Sequence, residues 1–232
     1  NYVPEEYRHE ELKGLELHIN SKMHYRESTL HSIDLELERL NAKMHVHPMR
    51  FENFNGLFHY EDEHIMVKAF QGKIGRTNFD LDMNYYLGKN QSIRKRDNHL
   101  GIKSNYIDFD QLFNFELQSP GKTEEKIANE NVSTHEEAFN LYELPFTDMT
   151  IDVDVAHFLY HRIDLQKIHA RIRTSQNHYL YVDTLDLKAA GGDVRMSGYF
   201  NGSDSKHIYL KPKLKFKNVE LDKLLFKFEN FG

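Results

Sequence analysis

Two histidines one residue apart form the pattern in this chain that comes nearest to a metal site. His45 and His47 alternate on a predicted strand, so both imidazoles would lie on one face, a spacing that zinc sites can use. No third ligand is identifiable nearby in the sequence, and Lys43 shares their face. These features favour a solvated surface over a metal centre, and we predict neither a metal site nor a cofactor.

Carboxylates, serines and glycines that could support catalysis also occur, but without the pattern that catalysis needs. Asp152 and Asp154 are two carboxylates on one strand face, whereas general acid–base chemistry needs one of them in a dry pocket. No serine lies in a G-x-S-x-G elbow. Gly191-Gly192 precedes a predicted strand rather than a helix, so it cannot place a phosphate at a helix N-terminus. The sequence therefore predicts a protein that is not an enzyme.

Alternation of apolar and polar residues dominates the chain and predicts the strands that must position any site. We count roughly a dozen such runs, too many and too evenly spaced for a βαβ fold, and predict an all-β protein. The apolar positions predicted to share one face are Phe79, Leu81, Met83, Tyr85, Met149, Ile151, Val153, Val155, Ile168, Ala170 and Ile172. The polar positions predicted to face solvent between them are Asp80, Asp82, Asp152 and Asp154.

The sequence also contains one pattern of strands and turns twice, and we call this pattern the cadence. Phe54–Gly88 and Ile168–Gly202 each contain three alternating runs separated by a polar turn and a glycine-bearing turn. Each is followed by a related coda, Leu100–Phe113 in the first copy and Leu214–Leu225 in the second. Self-similarity of this kind predicts stacked units, here antiparallel β-meanders, each followed by a long strand and a short helix. The helices are predicted around Asp110–Phe115 and Leu221–Phe228. Such a chain extends a surface rather than building one catalytic pocket.

A polar stretch divides the two copies. Residues 118–145 lack the alternation of their neighbours, and Pro120-Gly121 breaks the chain near their start. Ser133 or Thr134 could cap a short helix in the second part of this linker. We therefore divide the chain into a first repeat over 1–117, a linker over 118–145 and a second repeat over 146–232.

Composition limits the class of partner. Hydrophobic residues make up 39% of the chain, aromatic residues 12%, and the mean hydropathy is −0.70, a mixture that suits sheets with one dry and one wet face. A net charge of −6 argues against nucleic acid as a partner, and Arg94-Lys95-Arg96, assigned here to a loop, is the one basic cluster.

The chain contains no cysteine, so it has no disulfide or thiolate site. No apolar run is long enough to span a bilayer, and we expect the chain to be a piece of a longer protein.

The cadence of strand, polar turn, strand, glycine-bearing turn and strand resembles that of the AsmA-like family of envelope proteins, particularly members from Bacteroidetes-type bacteria. It is carried by HYLYVDTLDLKAAGGDVRMSGYFNG, which ends in Gly-x-x-x-Gly, and more loosely by HIMVKAFQGKIGRTNFDLDMNYYLG. The segments NVELDKLLFKFENFG and TIDVDVAHFLYHRIDLQKIHARI are similar to that family as well. The resemblance covers Leu12–Leu117 and Phe146–Gly232, and it rests on spacing rather than on catalytic residues.

The resemblance implies an elongated, twisted, groove-like sheet in the periplasm, anchored to the inner membrane by a helix outside this segment. Relatives include TamB and the bridge-like lipid transfer proteins, whose apolar concave face carries lipid tails. The implied partners are phospholipid or other acyl chains, and the implied role is lipid transport or outer-membrane homeostasis. Two alternatives stay open: a scaffold that affects outer-membrane protein assembly without carrying lipid, and a β-sandwich that binds glycans or protein.

Overall fold

The computed structural model describes residues 12–44, 50–113, 146–160, 163–204, 207–220 and 222, which form a single twelve-stranded sheet. The strands are β1 (Leu12–Arg26), β2 (Thr29–Met44), β3 (Arg50–Glu61), β4 (His64–Ile74), β5 (Thr77–Tyr86), β6 (His99–Ser104), β7 (Ile107–Asp108), β8 (Met149–Tyr160), β9 (Ile163–Ser175), β10 (Tyr179–Ala189), β11 (Gly192–Asp204) and β12 (His207–Lys217). The helices are α1 (Gln91–Asp97) and α2 (Phe109–Phe113). The sheet is mostly antiparallel, twisted, groove-like and not closed, which confirms the predicted all-β fold class.

Sheet order follows chain order almost throughout. The path runs β1-β2-β3-β4-β5-β6-β8-β9-β10-β11-β12, and β7 pairs with β8 beside it. Neighbours on this path are antiparallel, except that β6 lies parallel to β8. Because a parallel pair needs a crossover connection, this is the point where the chain leaves one meander and starts the next.

Tight turns connect most neighbouring strands. Both residues of the turns Glu27-Ser28, Asp62-Glu63 and Ala190-Gly191 have positive φ angles, which is the geometry of a type I′ turn. The backbone twist of this turn matches the right-handed twist of the flanking strands. Two of these turns lack the glycine that usually signals them, so sequence patterns alone mark them poorly.

Bulges bend the strands between these turns. Asn53 in β3 and Ala69 in β4 have φ angles of 56° and 48°, and the pairing registers shift beside both residues. The Asn53 amide donates to the Asn41 side chain at 2.7 Å, and the Ala69 amide donates to the Asp82 carboxylate at 2.9 Å. A bulge leaves an amide outside the ladder and increases the local bend and twist. These bulges therefore contribute to the curved form of the sheet.

Both copies of the sequence cadence form three-stranded antiparallel meanders, β3–β5 in the first and β9–β11 in the second. After the first meander, the short helix predicted around Asp110 is present as α2, whereas the strand before it differs from the prediction. The following strand, β6, has six residues and is not long, whereas β12 has eleven. The basic cluster Arg94-Lys95-Arg96 lies in α1 rather than in a loop, because the Asn90 side chain accepts hydrogen bonds from the first amides and caps the helix.

The first coda is joined by hydrogen bonds and an ion pair to the turn between β4 and β5. Asp108 is fully buried, accepts a hydrogen bond from the Gln111 amide at 2.8 Å, and forms an ion pair with Arg76. The Gln111 side chain in turn accepts from the Arg76 amide at 2.7 Å. In the second copy the Glu220 amide donates to the carbonyl of Ala190 in the corresponding turn at 3.0 Å. Each coda thus contacts the hairpin turn of its own meander.

Several predicted features lie outside the described residues. These are His45 and His47, the whole linker over 118–145, and all of the helix predicted at Leu221–Phe228 except residue 222. In the part of the chain that the structure describes, no helix is both long enough and apolar enough to cross a membrane.

Candidate functional site

The structure brings all eleven candidate apolar residues to one face of the sheet. Residues that pair directly across neighbouring strands point to the same side, and residues two apart on one strand do so as well. Leu81 pairs with Ile102, Ile102 with Val153, and Val153 with Ala170, which places β5, β6, β8 and β9 in one register. The other candidates alternate from these four positions without a register shift inside β5 or β8. We call this surface the apolar face.

One row of apolar residues crosses the whole sheet, and we call it the central ladder. Its members, one on each strand of the path, are Ile19, Leu37, Gly56, Phe70, Leu81, Ile102, Val153, Ala170, Leu185, Met196 and Leu214. Register pairs join every step except the one from Gly56 to Phe70. There a Cβ built on Gly56 would lie 2.8 Å from the Phe70 Cα, so these two residues are also neighbours. The central ladder contains no polar side chain.

A second row runs beside the central ladder and is apolar except at its first position. Its members are Ser21, Leu35, Phe58, Val67, Met83, Leu100, Ile151, Ile172, Val182, Gly198 and Pro212. Two hydroxyls near these rows in the middle of the sheet are paired within the protein. The Ser104 hydroxyl donates to the Asn78 carbonyl at 2.5 Å, and the Thr174 hydroxyl donates to the Thr147 carbonyl at 2.6 Å. An occupant of the apolar face would therefore meet few unpaired polar groups.

Burial on the apolar face falls from the middle of the sheet towards its edges. Val155 is 1% exposed and Phe54 is 6% exposed, whereas Ile19 on β1 is 46% and Leu214 on β12 is 49% exposed. The Phe54 ring contacts the rings of Phe70 and Phe79 with centroids 5.8 and 5.3 Å apart. The apolar face therefore has a densely packed aromatic cluster near its middle and exposed apolar side chains at both edge strands.

Alternation in the sequence does not reveal the parts of the apolar face that lie next to bulges. Val67 and Phe70 are three residues apart but share the face, because the bulge at Ala69 shifts the alternation by one residue. Val182 and Leu185 share it for the same reason. Their spacing of three was the available signal, although that spacing in isolation indicates a helix rather than a bulged strand.

The opposite face of the sheet carries the charged residues and is called here the polar face. Asp152 was expected to be simply solvated, but it joins three strands at the junction of the two meanders. Its carboxylate accepts two hydrogen bonds from Arg171 of β9, at 2.7 and 2.9 Å, and lies 3.0 Å from the His99 ring of β6. These contacts, with Arg171 the stronger, lower the pKa of Asp152 to about 2.

The other three carboxylates predicted to face solvent differ among themselves. Asp154 is exposed and lies 3.4 Å from His169, and Asp82 is exposed but holds the bulge at Ala69. Asp80 is only partly exposed, and its Oδ1 is buried without a hydrogen-bond partner in the part of the chain that is described. The expectation of plain solvation is therefore correct for the side of the sheet and incomplete for the contacts.

Pairs between histidines and carboxylates recur throughout the sheet, most of them across neighbouring strands. Nine of the histidines in the described ranges lie within 4.0 Å of a carboxylate oxygen, namely His18, His24, His31, His59, His64, His99, His157, His169 and His207. The closest pair is His59 with Asp34, whose atoms are 2.6 Å apart, and this hydrogen bond raises the pKa of His59. Among the described residues, no three histidines or carboxylates come close enough together to hold a metal ion.

No family model, curated protein or solved structure matches the chain.

Proposed function

We propose that this chain is a non-enzymatic β-groove segment that binds lipid acyl chains on its apolar face. The observation that carries the proposal is the central ladder, which is apolar on all eleven strands of the path. The chemistry of the site would lie in the continuity of this face rather than in any single residue.

The length of the central ladder distinguishes a path from a pocket. Eleven strands spaced about 4.8 Å apart extend the row over roughly 48 Å. One leaflet of a bilayer has a hydrocarbon depth of about 15 Å, half of the full hydrocarbon core. The central ladder is therefore about three times as long as one acyl layer, more than a single bound lipid would need.

The energetics of acyl transfer favour such a path. Moving a chain of about twelve methylenes into water costs on the order of 10 kcal/mol, at about 0.8 kcal/mol for each methylene. A continuous apolar row lowers that cost at every position along it, and no polar anchor is needed at any point. The paired hydroxyls of Ser104 and Thr174 leave the middle of the face without a site that would hold a lipid in place.

The resemblance to AsmA-like proteins supports a setting for this activity. It supports lipid movement between membranes, or maintenance of the outer membrane, by a periplasmic protein anchored in the inner membrane through a helix outside this segment. A scaffold that affects outer-membrane protein assembly without carrying lipid is the competing proposal.

Photo-crosslinking on neighbouring residues of one strand tests the proposal. Ile151 lies on the apolar face, whereas Asp154 lies on the polar face with its side chain 60% exposed. Asp154 is a better control than Asp152, because replacing Asp152 would also remove the contacts with Arg171 and His99. We expect a photoreactive residue at 151 to give lipid adducts in cells and one at 154 to give none. Adducts at 154 alone, or at neither position, would favour the scaffold.

A further inference from the structure

The polar face carries a cavity that the proposed acyl path does not use. It has a volume of about 420 Å³ and lies where β8 begins and β9 ends. It is lined by Met149 at the edge of the apolar face and by the polar and aromatic side chains of Lys95, Asp148, Arg173, Asn177, Tyr179 and Tyr181, and we call it the tyrosine cavity. Its volume falls within the range of about 300–1,000 Å³ that is usual for small-molecule sites.

Two parallel tyrosine rings form one wall of the tyrosine cavity. The rings of Tyr179 and Tyr181 have centroids 6.0 Å apart and planes 8° apart. The Arg173 guanidinium lies 5.1 Å from the centroid of the Tyr181 ring, and it donates to both Asp183 oxygens at 2.7 Å. These two hydrogen bonds hold Arg173 against the Tyr181 ring, and the Tyr199 ring of β11 lies on the other side with its centroid 6.3 Å away. Tyr181 is therefore covered from both neighbouring strands, and Tyr179 is the ring that a ligand can reach.

The charges around the tyrosine cavity compensate one another. Arg173 is neutralised by Asp183, and Lys95 from α1 is balanced in sign by Asp148, which is 4% exposed. A strongly charged ligand would therefore find no net opposite charge. A purely apolar ligand would cover the Asn177 amide and the tyrosine hydroxyls without pairing them, which is costly.

A sugar ring meets both conditions. One face of a pyranose presents C–H groups that can stack on a tyrosine ring, while its hydroxyls extend sideways to donate and accept hydrogen bonds. Tyrosine suits this role because it offers an apolar ring with a polar tip. We infer that the tyrosine cavity binds a neutral pyranose unit of an oligosaccharide, stacked on Tyr179 and hydrogen-bonded by Asn177, Lys95 and Asp148. This inference does not depend on acyl binding, which uses the other face.

Binding of three defined oligosaccharides tests the inference. Maltotriose, cellotriose and chitotriose are titrated into the purified chain by calorimetry, and we expect at least one of them to bind. Tyr179→Ala should weaken that binding by roughly tenfold, as expected for loss of an aromatic stacking contact. Asn177→Ala changes an exposed turn residue and should weaken binding without affecting the fold, so it keeps the test decisive if Tyr179→Ala unfolds. Tyr25→Ala, at an exposed tyrosine on β1, is the matched control and should leave binding unchanged.

The result that would overturn the inference is a lack of binding by all three sugars at millimolar concentration, or an equal loss in Tyr25→Ala. Dodecyl maltoside separates this site from the acyl path, since it carries both a sugar and an alkyl chain. Ile151→Asp should leave oligosaccharide binding intact. If the detergent binds, loses its binding in Ile151→Asp and keeps it in Tyr179→Ala, while the free sugars do not bind, the tyrosine cavity is not a sugar site.

Discussion

Replacing Ile151 by Asp should weaken acyl binding roughly 100-fold while leaving the sheet folded. Ile151 lies between Leu100 of β6 and Ile172 of β9 on the apolar face and is half-buried. Full burial of such a side chain stabilises a protein by about 1.5–3 kcal/mol, so losing a half-buried one costs about 0.8–1.5 kcal/mol. On an open face the new carboxylate can stay hydrated, so the much larger cost of a buried unpaired charge does not arise.

The effect on acyl binding should be larger than the effect on folding. A hydrated charge on one strand displaces about four methylenes of a bound chain, the number that spans one strand spacing of about 4.8 Å. At about 0.8 kcal/mol each, this loss is about 3 kcal/mol, or roughly 100-fold in affinity. Titration of a fluorescent fatty acid into the purified chain measures the affinity, and urea unfolding followed by circular dichroism measures the stability.

The matched control is Ala156→Asp, which introduces the same charge on the same strand at an exposed position of the opposite face. We expect its acyl affinity to stay within about twofold of the parent, since its side chain does not reach the apolar face. Equal affinity of the Ile151→Asp variant and the parent would refute the acyl path. Loss of the folded sheet in that variant would show that the face is a closed core, and equal loss in both variants would show that charge alone opposes binding.

Three further predictions concern the sheet itself. Asp152→Asn should lower the free energy of unfolding by about 1 kcal/mol at neutral pH, after allowance for solvent screening. Because the folded-state pKa of Asp152 is depressed, the parent protein keeps this stabilisation above pH 4 and loses it as the pH falls through about 2. Urea unfolding across this pH range measures the effect. NMR titration should give His59 a pKa above its usual value, and its contribution to stability should be present in acid and lost as the pH rises through the folded-state pKa. Asp34→Asn should remove most of this pKa shift, because Asp34 is the hydrogen-bond partner of His59. An unshifted pKa of His59 in the parent protein would contradict the pairing. Gly56→Ala should destabilise the protein by about 1–3 kcal/mol, because the new Cβ would lie 2.8 Å from the Phe70 backbone. Gly101→Ala, whose Cβ would have no atom nearer than 3.7 Å, should change stability by less than about 0.5 kcal/mol. Equal effects of the two substitutions would contradict the steric argument.

The sequence was sufficient to assign faces wherever alternation runs without interruption. In β5 and β8 every second residue is apolar, and the structure puts Leu81 and Val153 on one surface, joined through Ile102. The assignment follows from strand geometry, because side chains alternate between the two faces with a period of two and paired residues on neighbouring strands share a face. Nothing beyond local pattern was needed for that part of the site.

Local pattern could not reveal contacts that depend on strand pairing. Asp152 appears in the sequence as one of several alternating carboxylates, and only the register shows that Arg171 and His99 both reach it. The bulges are a second case. Ala69 at a positive φ angle is unusual for a residue with a side chain, and its amide is satisfied by Asp82 from the neighbouring strand. The short helix α1 was missed because seven residues provide too little periodicity to identify it.

The parallel junction between β6 and β8 allows two meanders to act as one surface. Ile102 pairs with Val153 there, and because paired residues share a face in parallel as well as antiparallel ladders, the apolar face passes from the first meander to the second unchanged. A shift of one residue at this junction would turn the second meander's apolar side chains to the other face and end the path. Under the proposed function, each added meander of three strands lengthens the path by roughly 14 Å, about the depth of one lipid leaflet, without any new chemistry. The Asp152 contacts with Arg171 and His99 bind β6, β8 and β9 together at this junction, on the face that a lipid would not touch. The register that keeps the path continuous is therefore held by polar contacts on the opposite side of the sheet.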